Sequence, residues 1–242
     1  MLRAVIWDLD GTLVDSAESH FESWRDAMRA EGQTITRNQF EATFGQRNDR
    51  ILAGWLGPNA APDLRSRIAE AKEAAYRRFV REGRLEALPG ASHWLAQLRT
   101  LGWKQAIGSS APRLNVEVVL DVLDWSRYFD AIVAAEDVRA GKPDPEVFLE
   151  AAARLGVPPP QCIVVEDAAA GIEAARRGGM RSIGVGAPAS AARPRSRRAV
   201  ADHVDRGHVA AARVRTVPTN SVAKSDVSIS SHALQACHRA DL

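Results

Sequence analysis

The sequence predicts an α/β fold, a doubly wound parallel sheet with a helical segment inserted after the first strand, and three observations carry that expectation. The chain opens on Ala4, Val5, Ile6 and Trp7, apolar enough for a buried strand, and runs at once into Asp8, Leu9, Asp10, Gly11 and Thr12. From Leu88 onward short apolar runs alternate with amphipathic ones, the pattern of parallel strands joined by crossover helices. Between these two regions, residues 17 to 87 carry helical periodicity and no convincing strand.

Taken in order, the first helix is "AESHFESWRDAMRAE" at 17 to 31, where Phe21, Trp24 and Met28 recur at helical spacing and Gly32 supplies a stop. Further helical patterns run to about residue 87, the longest being "RIAEAKEAAYRRFVREG". The later strands are expected at "KQAIG" (104 to 108), "AIVAA" (131 to 135), "CIVVE" (162 to 166) and "SIGVG" (182 to 186), with helices near 112 to 123, 144 to 155 and 169 to 178. The expected organisation is a core from residues 1–16 and 88–187, a helical insertion over 17–87, and an atypical segment over 188–242.

Composition narrows the function classes. A chain of 242 residues with a formal net charge of +2 is long enough for a sizeable core and too weakly charged overall to argue for nucleic acid. The N-terminus lacks a signal-peptide pattern and no span reaches about 18 apolar residues, so a cytoplasmic protein without a membrane partner is expected. Cys162 and Cys237 are too few for a disulfide framework, and Cys162 reads as a small core residue. The segment after Pro188 holds nine lysines and arginines against four acids and no aromatic residue. A basic arm for nucleic acid or an acidic membrane surface competes there with a poorly ordered tail; scattered charges without stacking residues favour the tail. "GVGAPA" at 184 to 189 fits a dinucleotide pattern, but Pro188 and the Arg-rich sequence beyond it do not supply the helix that pattern requires.

The chemistry gathers at strand ends, where open α/β sheets place their sites. Asp8 and Asp10 leave the first strand on the same side, and two carboxylates ~4 Å apart repel by about 4 kcal/mol at an effective dielectric near 20. "KQAIG" runs into Ser109 and Ser110, whose hydroxyls and free amides suit a phosphate. "CIVVE" ends in Glu166 and Asp167, a second acidic pair, and "RAGKPDPEVF" places Lys142 before a turn and a helix start. The balancing positive charge is then a hard divalent cation held by Asp8, Asp167 and neighbouring oxygens, together with Lys142, with a phosphate completing the set. An EF-hand reading of "DLDG" fails because its glycine comes too early and no bidentate Glu stands at the twelfth position.

"DLDGTLVDS", "GSSAPR", "GKPDP" and "VVEDAAAG", in this order, resemble the four motifs of the haloacid dehalogenase superfamily, and the insertion after the first resembles its helical cap. The likeness covers about residues 1 to 186 and is greatest to the β-phosphoglucomutase-like phosphatase branch. It implies Asp8 as a nucleophile that becomes an aspartyl phosphate and Asp10 as general acid and base. It also implies Ser109 on the transferred phosphoryl group, Lys142 neutralising it, and Mg²⁺ held by Asp8, Glu166, Asp167 and the main-chain carbonyl of Asp10.

The expected activity is a Mg²⁺-dependent phosphatase for a small phosphorylated metabolite, a sugar phosphate by resemblance. An acid two residues beyond the nucleophile suits a poor alkoxide leaving group. The alternatives are a sugar phosphomutase and a non-catalytic paralogue. Ala111 and Pro112 stand where sugar mutases of this branch carry polar residues, and Pro112 has no N–H to donate. In the cap, His20, Arg47 and Arg78 are candidate substrate contacts, with Arg50 and Trp24 behind them; Trp24 belongs to an apolar helix face and reads first as core.

Overall fold

The computed structural model describes residues 3–186. In chain order the elements are β1 (Ala4–Trp7), β2 (Val14–Asp15), α1 (Ala17–Ala30), α2 (Arg37–Thr43), α3 (Asn48–Leu56), α4 (Pro62–Arg81), β3 (Glu86–Ala87), α5 (Ala91–Thr100), β4 (Lys104–Gly108), α6 (Arg113–Val122), β5 (Ala131–Val133), α7 (Glu146–Leu155), β6 (Cys162–Glu166), α8 (Ala169–Arg177) and β7 (Arg181–Gly184), with three short 3-10 turns among them.

All four β1 side chains are buried, and strand alternation sorts them onto two faces. Val5 and Trp7 join one apolar cluster with Leu95, Leu98, Ile107 and Val116, whereas Ala4 and Ile6 join another with Phe148, Ala151 and Val164. A strand with a core on each face belongs at the centre of a sheet covered on both sides. The sheet order is β5-β4-β1-β6-β7, with every pairing parallel. The polar Gln105 on the neighbouring strand is satisfied: Trp7 Nε1 donates to Gln105 Oε1 at 3.0 Å, and Gln105 Nε2 donates to the Leu95 carbonyl at 2.9 Å. Cys162 is fully buried in the second cluster, and burial pushes its thiol up to about 11.

At the β5 edge, Ile132 O accepts from Arg113 Nη2 at 3.3 Å and Arg154 Nη1 at 2.7 Å, and Asp137 pairs with both guanidinium groups. Helices α1 to α4 form a separate layer whose apolar cluster contains Trp24, Met28, Phe40, Leu52 and Ile68. Trp24 is core, as its helical position suggests, and its ring meets Trp55 edge-on at 5.1 Å.

Several local expectations need correction. The stretch 17–87 is not free of strand, because Glu86–Ala87 pairs antiparallel with Val14–Asp15 where the chain leaves and re-enters the sheet domain. Within "AIVAA" only Ala131–Val133 is strand, and a 3-10 turn begins at Ala135, where Asp137 accepts from the Ala134 amide at 2.8 Å. The last strand starts at Arg181 and ends at Gly184, earlier than "SIGVG" implied. Helix α5 joins the helices expected after Leu88; it packs Trp94, Leu95 and Leu98 against the sheet. The segment 188–242, expected as a poorly ordered tail in preference to a basic arm, lies outside the described residues. Among the described residues no helix is long and apolar enough to cross a membrane.

Candidate active site

Register brings the strand ends together. Trp7 sits beside Ile107 on one side and Val165 on the other, so Asp8 and Glu166 come next at one sheet edge, and Ser109 follows one residue beyond Gly108 at the same edge. The Asp8 amide still donates to Val165 O at 2.9 Å and the Ser109 amide to Val133 O at 3.0 Å, which fixes both side chains just beyond the ladder. The loop after β5 delivers Lys142, whose ammonium donates to Asp8 Oδ1 at 2.6 Å and Glu166 Oε1 at 2.7 Å. Glu166 Oε2 accepts from the Ala168 amide at 2.5 Å, so both its oxygens are anchored. Asp167 approaches through Gly11, which has φ of +83° and where a Cβ would lie 2.6 Å from Asp167 Oδ2; only glycine meets both demands.

Carboxylate oxygens of Asp8, Glu166 and Asp167 lie within 4.8 Å of one another. Burial pushes the Asp8 carboxyl well above the usual carboxylate range; Lys142 pulls it back, and the charges of Glu166 and Asp167 push it up again. Burial alone would lower the Lys142 ammonium, but Asp8 and Glu166 outweigh that and hold it raised, hence charged. One ammonium against three clustered carboxylates leaves a negative, all-oxygen donor set, the chemistry that suits Mg²⁺.

The Asp10 side chain turns away from that cluster. Its Oδ1 accepts from Ser16 Oγ at 2.6 Å and Tyr76 Oη at 3.3 Å, and lies 3.1 Å from His20 Nε2. Burial would raise this carboxyl, but the charge and hydrogen bond of His20, the Ser16 hydroxyl and the Lys72 ammonium together hold it at about 2. The Asp10 carboxylate is not among the three clustered acids. His20 is buried, stacks on Tyr76 at 4.0 Å and lines the cleft beside Asp10.

Over these groups lies a cleft of about 50 Å³, lined on the sheet side by Asp8, Asp10, Ser109, Ser110 and Asp167 and on the helical side by Trp24, Phe40, Phe44, Asn48, Lys72 and Glu73. Ser109 is buried and its Oγ accepts from the Ala111 amide at 3.0 Å, while Ser110 is half-exposed at the rim.

The cap arginines are placed differently from expectation. Arg78 is exposed, pairs with Glu82 at 3.7 Å, and does not reach the cleft, because α4 turns Tyr76, Phe79 and Val80 inward and Arg78 outward. Arg50 is likewise exposed. Arg47 donates through Nη1 to the carbonyls of Ala135 and Val138, both at 2.9 Å, and so grips the sheet domain rather than lining the cleft. Lys72 and Glu73, absent from the sequence-based candidates, are buried on the cleft wall. Their signal was available: Lys72 falls midway between Ile68 and Tyr76 at steps of four, on the apolar stripe where a solvated charge does not belong.

Comparison with known proteins agrees with this geometry. The haloacid dehalogenase-like hydrolase family matches residues 2–179. Hexitol phosphatase B of Escherichia coli (strain K12) is 35% identical over 197 residues, covering 80% of this chain and 88% of that protein. Beta-phosphoglucomutase of Bacillus subtilis is 34% identical over 192 residues, covering 76% and 84%. The crystal structure of beta-phosphoglucomutase from Clostridium difficile superposes with a TM-score of 0.69 at 34% identity, covering 77% and 85%. With its parallel sheet, helical layer and ordered acidic motifs, the chain belongs to the haloacid dehalogenase-like hydrolases, in their β-phosphoglucomutase-like phosphatase branch.

Proposed function

We propose that the protein is a cytoplasmic Mg²⁺-dependent phosphatase that hydrolyses a small phosphorylated metabolite, a sugar phosphate, through an aspartyl phosphate on Asp8. The observation that carries this reading is the convergence of Asp8, Ser109, Lys142, Glu166 and Asp167 on one sheet edge, with the Asp10 carboxylate held separately beside them. Relatives named hexitol phosphatase and fructose-1-phosphate phosphatase support the sugar.

In this reading Asp8 attacks phosphorus, and the bond to the sugar oxygen breaks as the new O–P bond forms. Ser109 and Lys142 bind the equatorial oxygens, and Glu166 keeps Lys142 aimed by anchoring its ammonium. Asp8, Asp167 and Glu166 would hold Mg²⁺, which supplies further charge neutralisation when bound. Asp10 gives its proton to the departing oxygen, then takes one from the water that cleaves the aspartyl phosphate. Because Asp10 is held ionised here, a proton has to reach the Asp10–His20 pair as the anionic substrate enters.

The test is phosphate release from a panel of phosphorylated metabolites with and without Mg²⁺. Asp8→Asn should abolish turnover and phosphoenzyme formation, whereas Asp10→Asn should harm alkyl phosphates far more than nitrophenyl phosphate. Equal losses on both substrates would remove Asp10 as the acid. Pro112 lines the cleft without an N–H, which favours hydrolysis over mutase chemistry. A coupled assay for glucose 6-phosphate from β-glucose 1-phosphate, primed with the bisphosphate, decides this: product formation outrunning phosphate release would establish a mutase.

A further inference from the structure

Lys72 and Glu73 close the cleft on its helical side, and their partners define what that wall can accept. Glu73 Oε1 accepts from Asn48 Nδ2 at 2.6 Å and Lys72 Nζ at 2.8 Å, while Oε2 accepts from Asn115 Nδ2 on α6. Three of the roughly four lone-pair positions of the carboxylate are thus filled. The Lys72 ammonium, set 5.2 Å from the Trp24 ring and 5.5 Å from the Tyr76 ring, donates to Glu73 and lines the cleft. Among the described residues it is the sole lysine or arginine on the helical side of the cleft, and its charge is matched by the carboxylate beside it. Arg47 is committed to main-chain carbonyls, Arg77 donates to Asn115 Oδ1 at 3.0 Å, and Arg50 and Arg78 face solvent.

We propose that Lys72 and Glu73 form a charge-balanced subsite that selects a neutral, hydroxyl-bearing group at the substrate end remote from the transferred phosphate, and that the protein therefore discriminates against bisphosphorylated metabolites. The inference rests on the phosphatase reading and sharpens its substrate class. A hydroxyl both accepts and donates, so it satisfies an ammonium and a carboxylate lying side by side. A second phosphate only accepts, and would meet the Glu73 carboxylate in a site from which water is largely excluded. Trp24, Phe40 and Phe44 on the same wall suit the C–H surface of a sugar or polyol. Asn48 and Asn115 hold Glu73 in place from two different layers, so the selecting carboxylate is fixed only when the helical layer rests on the sheet domain.

The experiment compares β-glucose 1-phosphate and sorbitol 6-phosphate with β-glucose 1,6-bisphosphate, using the full-length protein with Mg²⁺. Wild-type kcat/KM should favour the preferred monophosphate by at least about tenfold, and Glu73→Gln, which leaves Lys72 uncompensated, should shrink that preference by roughly tenfold or more. Competition against nitrophenyl phosphate on the wild-type protein gives the same ranking without a variant, so poor folding of Glu73→Gln does not shelter the idea. Binding of the same compounds to Asp8→Asn, measured by calorimetry, separates the two readings: absence of turnover in the wild type defeats the phosphatase, while the binding order still judges the subsite. Bisphosphate bound as tightly as either monophosphate, monophosphates bound no more tightly than inorganic phosphate, or an unchanged preference in a folded Glu73→Gln protein each overturns the proposal.

Discussion

Replacing Gly171 with alanine tests whether the position of Glu166 is as tightly determined as its contacts suggest. Gly171 lies in the first turn of α8, directly beneath the Glu166 side chain. A Cβ at this position would overlap Cδ and Oε1 of Glu166 and lie only 2.5 Å from its Cγ. Comfortable carbon contacts begin near 3.5 Å, so the carboxylate has to retreat by about 1 Å or more. Glu166 is buried, its Oε1 is bound by Lys142 at 2.7 Å and its Oε2 by the Ala168 amide at 2.5 Å, so such a shift breaks at least one of these bonds. A displacement of that size among reacting groups costs on the order of 100-fold in rate. Overpacking costs about 1–3 kcal/mol of stability, a fall of several degrees in Tm. The assay is Mg²⁺-dependent phosphate release together with thermal unfolding. Gly184→Ala is the control, because its Cβ would meet only Ile172 Cδ1 at an ordinary 3.8 Å. Full activity of Gly171→Ala in a folded protein would refute the reasoning, since it would mean that neither the Glu166 carboxylate nor the Lys142 it anchors needs its observed place.

Gly54 lies exposed inside α3, and a methyl group added there would have nothing within 4 Å, so Gly54→Ala should stabilise the protein by about 0.5–1 kcal/mol, read as a rise of roughly 2 °C in Tm. Asp10, held at about 2 against roughly 3.9 for a free aspartate, contributes stability that is fully present above about pH 4–5 and lost as the pH falls through 2. Denaturant unfolding should therefore show a shallower loss of stability between pH 5 and pH 2 for Asp10→Asn than for the wild type; parallel curves would mean that the carboxyl is not depressed. Arg47→Ala removes two charged hydrogen bonds to carbonyls across the layers; with Arg47 partly exposed, a loss of about 1–2 kcal/mol is expected by denaturant unfolding, and no loss would show that the layers hold together without it.

The strands bearing Asp8, Ser109 and Glu166 were legible because a buried parallel strand is apolar on both faces, so a polar or charged residue can follow such a run only where the strand leaves the sheet. Lys142 lies outside any strand and was legible instead from the turn and helix-start residues that follow it. Direction around a helix was harder. Arg78 and Lys72 occupy the same amphipathic segment, and only the stripe Ile68, Tyr76, Phe79 and Val80 separates the outward cation from the inward one. Arg47 stands at the N-cap of α3, where no periodicity aims a side chain, and its partners are carbonyls 88 and 91 residues away. The β2–β3 pair is two residues long on each side, too short for an alternation of two to announce itself.

The guanidinium groups of Arg113 and Arg154 at the outer strand have a meaning for the protein at high concentration. An unpaired parallel strand invites a neighbouring chain to extend the sheet, and a short edge of three residues, Ala131–Val133, would offer a small foothold for it. Here the Ile132 carbonyl already receives two arginine donors, and Asp137 holds both in position. A visiting strand would have to evict two charged groups to gain one backbone bond, so on this side the sheet resists polymerisation by its own side chains.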